Sequence, residues 1–285
     1  MHRDTPPSSC DAPSAPAVVA QAVEAAVPAL ARAGAGLAVL TANIHKGFDL
    51  LQRRFVLPQL REAIRGVGAD IVFLQEVLGA HSGHARRHAA WPHAPHYEFL
   101  ADSLWPQFAY GRNAVYPDGH HGNALLSMLP IASHDNHDVS VAGHENRGLL
   151  HCRLHVPGQE QCLHAVCVHL GLREAHRRRQ LDLLCAHLDA AIPAGEPLIV
   201  AGDFNDWRGA GHARLRRCGL TEVFEASRGR LARSFPVHWP LLPLDRIYVR
   251  GLAIVEATVH SAAPWSRLSD HAVLFARLSL PGAGA

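Results

Sequence analysis

Short apolar runs that break off in polar residues recur along the chain. Leu37-Ala-Val-Leu-Thr-Ala-Asn43 is the first, and it leads into a polar loop at Gly47, as a buried strand does when it hands its last side chains to a loop. Asp70-Ile-Val-Phe-Leu-Gln-Glu76 repeats the pattern and ends in an acid. Gly122-Asn-Ala-Leu-Leu-Ser127 follows a Gly/His turn, and residues 149–156 and 162–169 read as a strand pair joined through Pro157-Gly158. Residues 198–203 run into Asp203-Phe-Asn-Asp206, and residues 244–249 and 271–275 complete the series. Helical spacing appears at residues 53–65, where Phe55, Leu57, Leu60 and Ile64 give an imperfect apolar face, and again at 174–188. Strands predominate and helices fall between some of them, which predicts an α/β fold of two packed sheets with helices outside.

Residues 1–36 differ in character. They are rich in Ala, Pro and Ser and predict a disordered or loosely docked extension, with a short amphipathic helix at 18–30 weakened by Glu24 and Pro28. The folded domain is expected over residues 37–280, without internal repeats. No apolar run approaches the roughly 18 residues of a membrane span, and no basic start leads into an apolar stretch, so neither a span nor a signal peptide is expected.

Composition narrows the reading further. Apolar residues make up 48% of the 285-residue chain, enough for a large core, and the formal net charge of +2 does not mark a strongly basic nucleic-acid binder. Lys46 is the sole lysine, which reads first as coding bias. Cys10, Cys152, Cys162, Cys167, Cys185 and Cys218 form no C-x-x-C pair and predict reduced, mostly packed thiols in a cytoplasmic protein. The pairs His81/His84, His93/His96 and His134/His137 lie in polar, Pro-containing stretches without cysteine partners and read as solvated loop histidines.

The chemistry lies at the strand ends. Asn43, Glu76, His169, Asp203 with Asn205, and Asp270 with His271 all follow apolar runs. Each alone has an ordinary reading: a surface acid, a turn amide, a helix cap. Gathered at one edge they would offer hard oxygen ligands and two imidazoles, a set that suits magnesium or manganese and attack of water on phosphorus.

In sequence order, Thr41-Ala-Asn43-Ile-His45, Leu74-Gln-Glu76, Val168-His169-Leu170, Gly202-Asp203-Phe204-Asn205, Leu244-Asp245-Arg246-Ile247 and Ser269-Asp270-His271 resemble the signatures of the endonuclease/exonuclease/phosphatase superfamily. Gly122 to Ser127 with Pro130-Ile131, then Arg147-Gly148, resemble its sphingomyelinase-like and DNase-like branches. The resemblance spans the whole expected domain. Residues 44–47, 110–113 and 120–123 look closest to a bacterial subgroup with no settled substrate. The resemblance implies a DNase I-like, four-layered α/β sandwich of two mostly antiparallel sheets. It implies a Mg2+ or Mn2+ ion held by Glu76, Asn43 and Asp270. It further implies that Asp203 aligns or deprotonates the attacking water and that Asn205 contacts the phosphate or the nucleophile. His271 would bind the scissile phosphate, Asp245 would orient His271, and His169 would lie against the phosphate.

Arg112, Asn123, Arg147 and Arg173 are the substrate-binding candidates; Arg112 and Arg147, with Arg208, could face phosphate because guanidinium forks match its oxygens. The run Arg173-Glu-Ala-His-Arg-Arg-Arg179 reads either as an anion clamp or as a solvated helix face. Trp91, Trp105, Trp207, Trp239 and the apolar stretch 235–242 are candidates for touching nucleic acid or a membrane surface. Expected substrates are a lipid or other small phosphodiester, slightly favoured by the near-neutral charge, or nucleic acid. A non-catalytic phosphate-binding protein is the alternative of another class. The chain is expected to act as a monomer, with peripheral membrane contact allowed.

Overall fold

The computed structural model describes residues 36–102, 104–141 and 145–280; Cys10 and the expected extension, apart from Gly36, lie outside them. Twelve strands follow in chain order: β1 (Leu37–Asn43), β2 (Ile71–His81), β3 (Gln107–Tyr116), β4 (Gly119–Ser127), β5 (Ile131–Asp138), β6 (Gly148–His155), β7 (Cys162–His169), β8 (Leu198–Asp203), β9 (Thr221–Glu222), β10 (Asp245–Arg250), β11 (Ala253–His260) and β12 (Val273–Ser279). They form two six-stranded sheets, ordered β11-β12-β1-β2-β4-β3 and β5-β6-β7-β8-β10-β9. The helices are α1 (Leu57–Val67), α2 (Ser82–Ala85), α3 (His96–Ala101), α4 (Glu174–Ala191), α5 (His212–Arg217) and α6 (Val223–Arg228).

Three apolar clusters separate four layers. Phe73, Leu125 and Leu274 of the first sheet meet Leu150, Ala165 and Ile247 of the second in the central one. Leu57, Leu60 and Ile64 of α1 cover the outer face of the first sheet, and Leu181, Leu184 and Leu188 of α4 cover that of the second. This is the α/β sandwich expected. Helix α1 begins at Leu57 rather than at residue 53. Asp49 Oδ1 accepts from the amides of Arg53 and Arg54 at 2.8 and 3.3 Å, which holds them in a turn, and Pro58 then opens the helix.

Each sheet contains one parallel pair, β1 with β2 and β7 with β8, whereas the other pairings are antiparallel. A parallel pair needs a crossover, which α1 and α4 supply. Asn43, His169 and Asp203 close three of the four parallel strands, and Glu76 lies inside β2 one residue past the level of Asn43, the kind of edge where α/β sheets place ligands.

The cysteine reading needs correction. Cys185 on α4 and Cys218 after α5 are joined in a disulfide, Cα to Cα 6.0 Å, which staples two outer helices. Cys152 and Cys167 are free and buried, as packed thiols. The bridge removes the thiol argument for a cytoplasmic location. The histidine pairs also differ from the loop reading. His96 is fully buried against Trp91 at a ring distance of 4.6 Å, and the rings of His81 and His84 meet at 4.0 Å, tilted by 44°. His134 and His137 are exposed, but on strand β5.

Candidate active site

Strand register builds the centre. Asp203, last residue of β8, lies opposite His169 on β7 and opposite Asp245 on β10. Its Oδ2 is 3.6 Å from His169 Nε2 and 4.0 Å from His271 Nε2, and it accepts from Asn43 Nδ2 at 3.2 Å. Its Oδ1 accepts from the backbone amide of Asn205 at 2.8 Å, a turn that holds Asn205 at φ 50° while Asn205 Nδ2 donates to Leu170 O at 2.9 Å. Gly202 just before it has φ 147°, and a Cβ there would lie 2.0 Å from Val168 O, so only glycine lets β8 approach β7 this closely.

His271 reaches the centre from the turn before β12. Its Nδ1 is 2.7 Å from Asp245 Oδ2, and Ser269 Oγ ties this turn to β1 by donating to Asn43 O at 2.7 Å. Glu76 reaches it by a bulge. Leu74 pairs with Ala124 and Val77 with Gly122, so Gln75 and Glu76 together face the single residue Asn123, and Glu76 adopts φ 56°. The neighbouring His45 and Lys46 also have positive φ, 45° and 57°. Left-handed backbone at non-glycine residues costs energy and gathers where a site needs side chains aimed. Here it brings Lys46 Nζ to 4.0 Å from Glu76 Oε2 and His45 Nδ1 to 3.8 Å from Asp270 Oδ1.

The two imidazoles sit in opposite states. Burial works against charge on His271, but the Asp245 charge and hydrogen bond, with Asp203 and Asp270, outweigh it and raise the ring from 6.5 to about 10. Burial drives His169 well below its ordinary value, helped by the charges of Arg147 and His271. Burial likewise raises Asp203 to about 7, with His271 pulling down and Asp245 pushing up. One charged imidazole, one neutral imidazole and a carboxyl near neutrality make a set that can hold and move protons.

The donor set fits a hard divalent cation. Glu76 and Asp270 are half-buried carboxylates, and Glu76 meets Lys46 at a distance too long for a hydrogen bond. Asn43 keeps a lone pair on Oδ1 beyond the one that accepts from the His45 amide at 3.1 Å. Asp203, Asp245 and His271 also lie within 4.8 Å of one another, but the hydrogen bond that His271 Nδ1 donates to Asp245 already occupies that group.

Asn43, Glu76, His169, Asp203, Asn205, Asp245, Asp270 and His271 therefore lie at one edge of the sandwich. Arg147 joins its rim, donating from Nε to Leu170 O at 3.3 Å. Arg112 is exposed on β3, and Arg173 is exposed at the start of α4. Asn123 has a different job: it is fully buried, and its amide donates to Gly148 O and Cys167 O at 3.0 and 3.3 Å, bridging the two sheets. Its amide donors are thus committed between the sheets, and only its buried Oδ1 has no hydrogen-bond partner. The arginine run divides: Arg177 is buried and donates to Gly171 O and Leu172 O, whereas Arg178 pairs with Glu174 at 3.0 Å. Sequence reading gave no role to His45, Lys46 or Ser269. The signal for Lys46 was its solitude among arginines.

The rim is partly apolar. Phe235 packs on His271 at a ring distance of 5.0 Å, and Val237 is buried, its amide donating to Asp270 O at 2.7 Å. The same loop leaves Trp239 76% and Leu241 53% exposed, so the stretch is packed at its base and bare at its tip. Trp207, beside Asn205, is exposed with Arg208 stacked at 4.4 Å. Trp105 is buried. On the other side a pocket opens between His45, Lys46, Phe48, His84 and Tyr116.

A four-layered sandwich with carboxylates and histidines at the ends of its parallel strands defines the class. The chain belongs to the Endonuclease/Exonuclease/phosphatase family, whose profile matches residues 40–271. A protein of Escherichia coli K12 called uncharacterized protein YbhP is 55% identical over 243 residues, covering 85% of this chain and 96% of that one. Among solved structures, an endonuclease/exonuclease/phosphatase of Beutenbergia cavernae is similar with a TM-score of 0.70 at 21% identity, over 87% of this chain and 72% of that one. A mannosyl-6-phosphatase of Bacteroides thetaiotaomicron is similar with a TM-score of 0.64 at 14% identity, over 86% of this chain and all (100%) of that one.

Proposed function

We propose that this chain is a hydrolase that uses a divalent cation, Mg2+ or Mn2+, to cleave phosphodiesters by attack of water. The observation that carries this reading is the pairing of a charged His271, held by Asp245, with a neutral His169 across Asp203. Family membership supports it, and the structurally similar mannosyl-6-phosphatase supports phosphoester chemistry.

Glu76, Asn43 and Asp270 would hold the cation, which when bound neutralises charge on a phosphate oxygen. Asp203 aligns the water and takes its proton, a task suited to a carboxyl near neutrality. His271 donates to a phosphate oxygen through Nε2 and offsets the charge that grows in the transition state. Asp245 holds its other nitrogen, which fixes the ring's orientation. His169 accepts or returns a proton on the opposite side, and Asn205 orients the phosphate or the water. Arg147, with the more distant Arg112 and Arg173, would attract the anionic group.

We favour a lipid or other small phosphodiester. The exposed Trp207, Trp239 and Leu241 beside the centre suit peripheral contact with an anionic phospholipid surface, since aromatic and aliphatic tips insert at the headgroup level. Among the described residues no helix is long and apolar enough to cross a membrane. Nucleic acid is the second reading, favoured by the same tryptophans as stacking platforms. The deciding assay compares hydrolysis of anionic phospholipid vesicles and of plasmid DNA, in Mg2+ and in Mn2+, with His271→Ala as control. Head-group release by wild type alone supports the lipid reading; nicking of DNA alone overturns it. Failure on every phosphoester, with phosphate still bound, would leave the non-catalytic binding protein.

A further inference from the structure

A second set of histidines lies on the outer face of the second sheet, between strands β5 and β6 and helix α4. His137 comes from β5, His151 from β6 and His187 from α4, and their ligand atoms all lie within 4.8 Å of one another. His164 on β7 stands behind them; His151 pairs with Val166, three positions before His169, and His137 lies on the edge strand two strands away from β7.

The hydrogen bonds here have a direction. His164 Nε2 meets the Glu196 carboxylate, which only accepts, so His164 carries its proton on Nε2 and leaves Nδ1 as an acceptor. That Nδ1 is 2.8 Å from His151 Nε2, which must donate, and His151 Nδ1 is therefore a lone pair. It points at His187 Nε2, 2.9 Å away. The chain of contacts fixes one imidazole with its bare nitrogen aimed at two further imidazoles. Metal-ligating histidines are held in this way, the far nitrogen donating toward a carboxylate.

We propose that His137, His151 and His187 form a binding site for a borderline transition-metal cation of the Zn2+ class, separate from the catalytic centre. Three imidazoles without thiolates match that class, and a water or Asp135 completes four ligands. Asp135 pairs with His151 in the β5–β6 register and so shares its face. Two nitrogens on a tetrahedral Zn2+ stand about 3.3 Å apart at the usual bond length of about 2.0–2.1 Å. His151 and His187 need move little. His187 shifts its proton from Nε2 to Nδ1 and stays neutral, so no proton is lost. His137 is exposed, with its ring centroid 3.9 Å from that of His187, and is free to swing in. Burial also keeps His151 and His187 unprotonated, at about 3 and about 4, which is the ligating form. The ion would fasten β5, an edge strand exposed along nearly its whole length, to helix α4.

Calorimetric titration of Zn2+ into the metal-stripped full-length chain, in excess Mg2+, tests the site. One Zn2+ should bind to wild type and equally to Glu76→Gln, and His137→Ala and His187→Gln should weaken it by about tenfold or more. Co2+ in its place should give the intense visible bands of a tetrahedral site, absent from His137→Ala. His137 is exposed, so its variant tests the site even where His187→Gln fails to fold. The proposal is overturned by no Zn2+ on wild type, by unchanged binding in His137→Ala, or by loss of the ion in Glu76→Gln.

Discussion

Asp245 and His271 are 26 residues apart in the chain, yet Asp245 Oδ2 and His271 Nδ1 stand 2.7 Å apart in the buried centre. Neither motif contains the other, and strand β10 and the turn before β12 bring them together. An imidazole raised in this way is a charged donor across the neutral range. His271→Ala should lower kcat on a soluble phosphodiester by about 10²–10⁴-fold. Asp245→Asn should lower it in the same direction with KM little changed, because it alters the ring's charge and orientation rather than the pocket. Steady-state kinetics of the two variants checks this.

The same contact predicts how stability depends on pH in chelator. His271 has a folded value of about 10 against 6.5 unfolded, so the folded state binds the extra proton between them. Its contribution is complete below about 6.5 and is lost as pH rises through about 10. Urea unfolding across that window should show stability falling, and Asp245→Asn should flatten the fall.

Gly202→Ala should destabilise the fold by at least ~1–3 kcal/mol, the scale of a residue forced into a disfavoured backbone region. The added methyl would also meet the Val168 carbonyl 2.0 Å away. Loss of soluble protein, or a lowered urea midpoint, is the expected result.

Replacing Trp239 and Leu241 together by alanine should weaken binding to anionic vesicles by about tenfold or more, given ~1.5–3 kcal/mol for a large apolar side chain fully buried. Turnover of a soluble diester should stay at the wild-type rate. Vesicle sedimentation beside the soluble assay separates the two effects.

The eight interior strands were legible in the sequence, and the four edge strands were not. β1, β2, β4, β6, β7, β8, β10 and β12 are covered on both faces, so they read as apolar runs. β5 is Ile-Ala-Ser-His-Asp-Asn-His-Asp, nearly all exposed, and β3, β9 and β11 are edges too. The polar and charged residues of β5, a kind that discourages pairing with other chains, hide it from a search for apolar runs. The site was legible where a strand ends in its own functional residue, as at Asp203. It was hidden where backbone strain does the aiming, as at Lys46. Asn123 shows the converse: a polar residue in a motif that the fold uses to join its sheets. The pairing of Cys185 with Cys218 depends on how α4 packs beside α5, which spacing does not reveal.

The central claim is that these residues hydrolyse phosphoesters with a divalent cation held by Glu76. Its most direct test is release of p-nitrophenol from bis(p-nitrophenyl) phosphate by the purified chain, with and without chelator, beside Glu76→Gln and Asp203→Asn. The account predicts turnover that chelator abolishes, that Mg2+ or Mn2+ restores, and that both variants lose while remaining folded. Turnover indifferent to chelator, or retained by both variants, would contradict it.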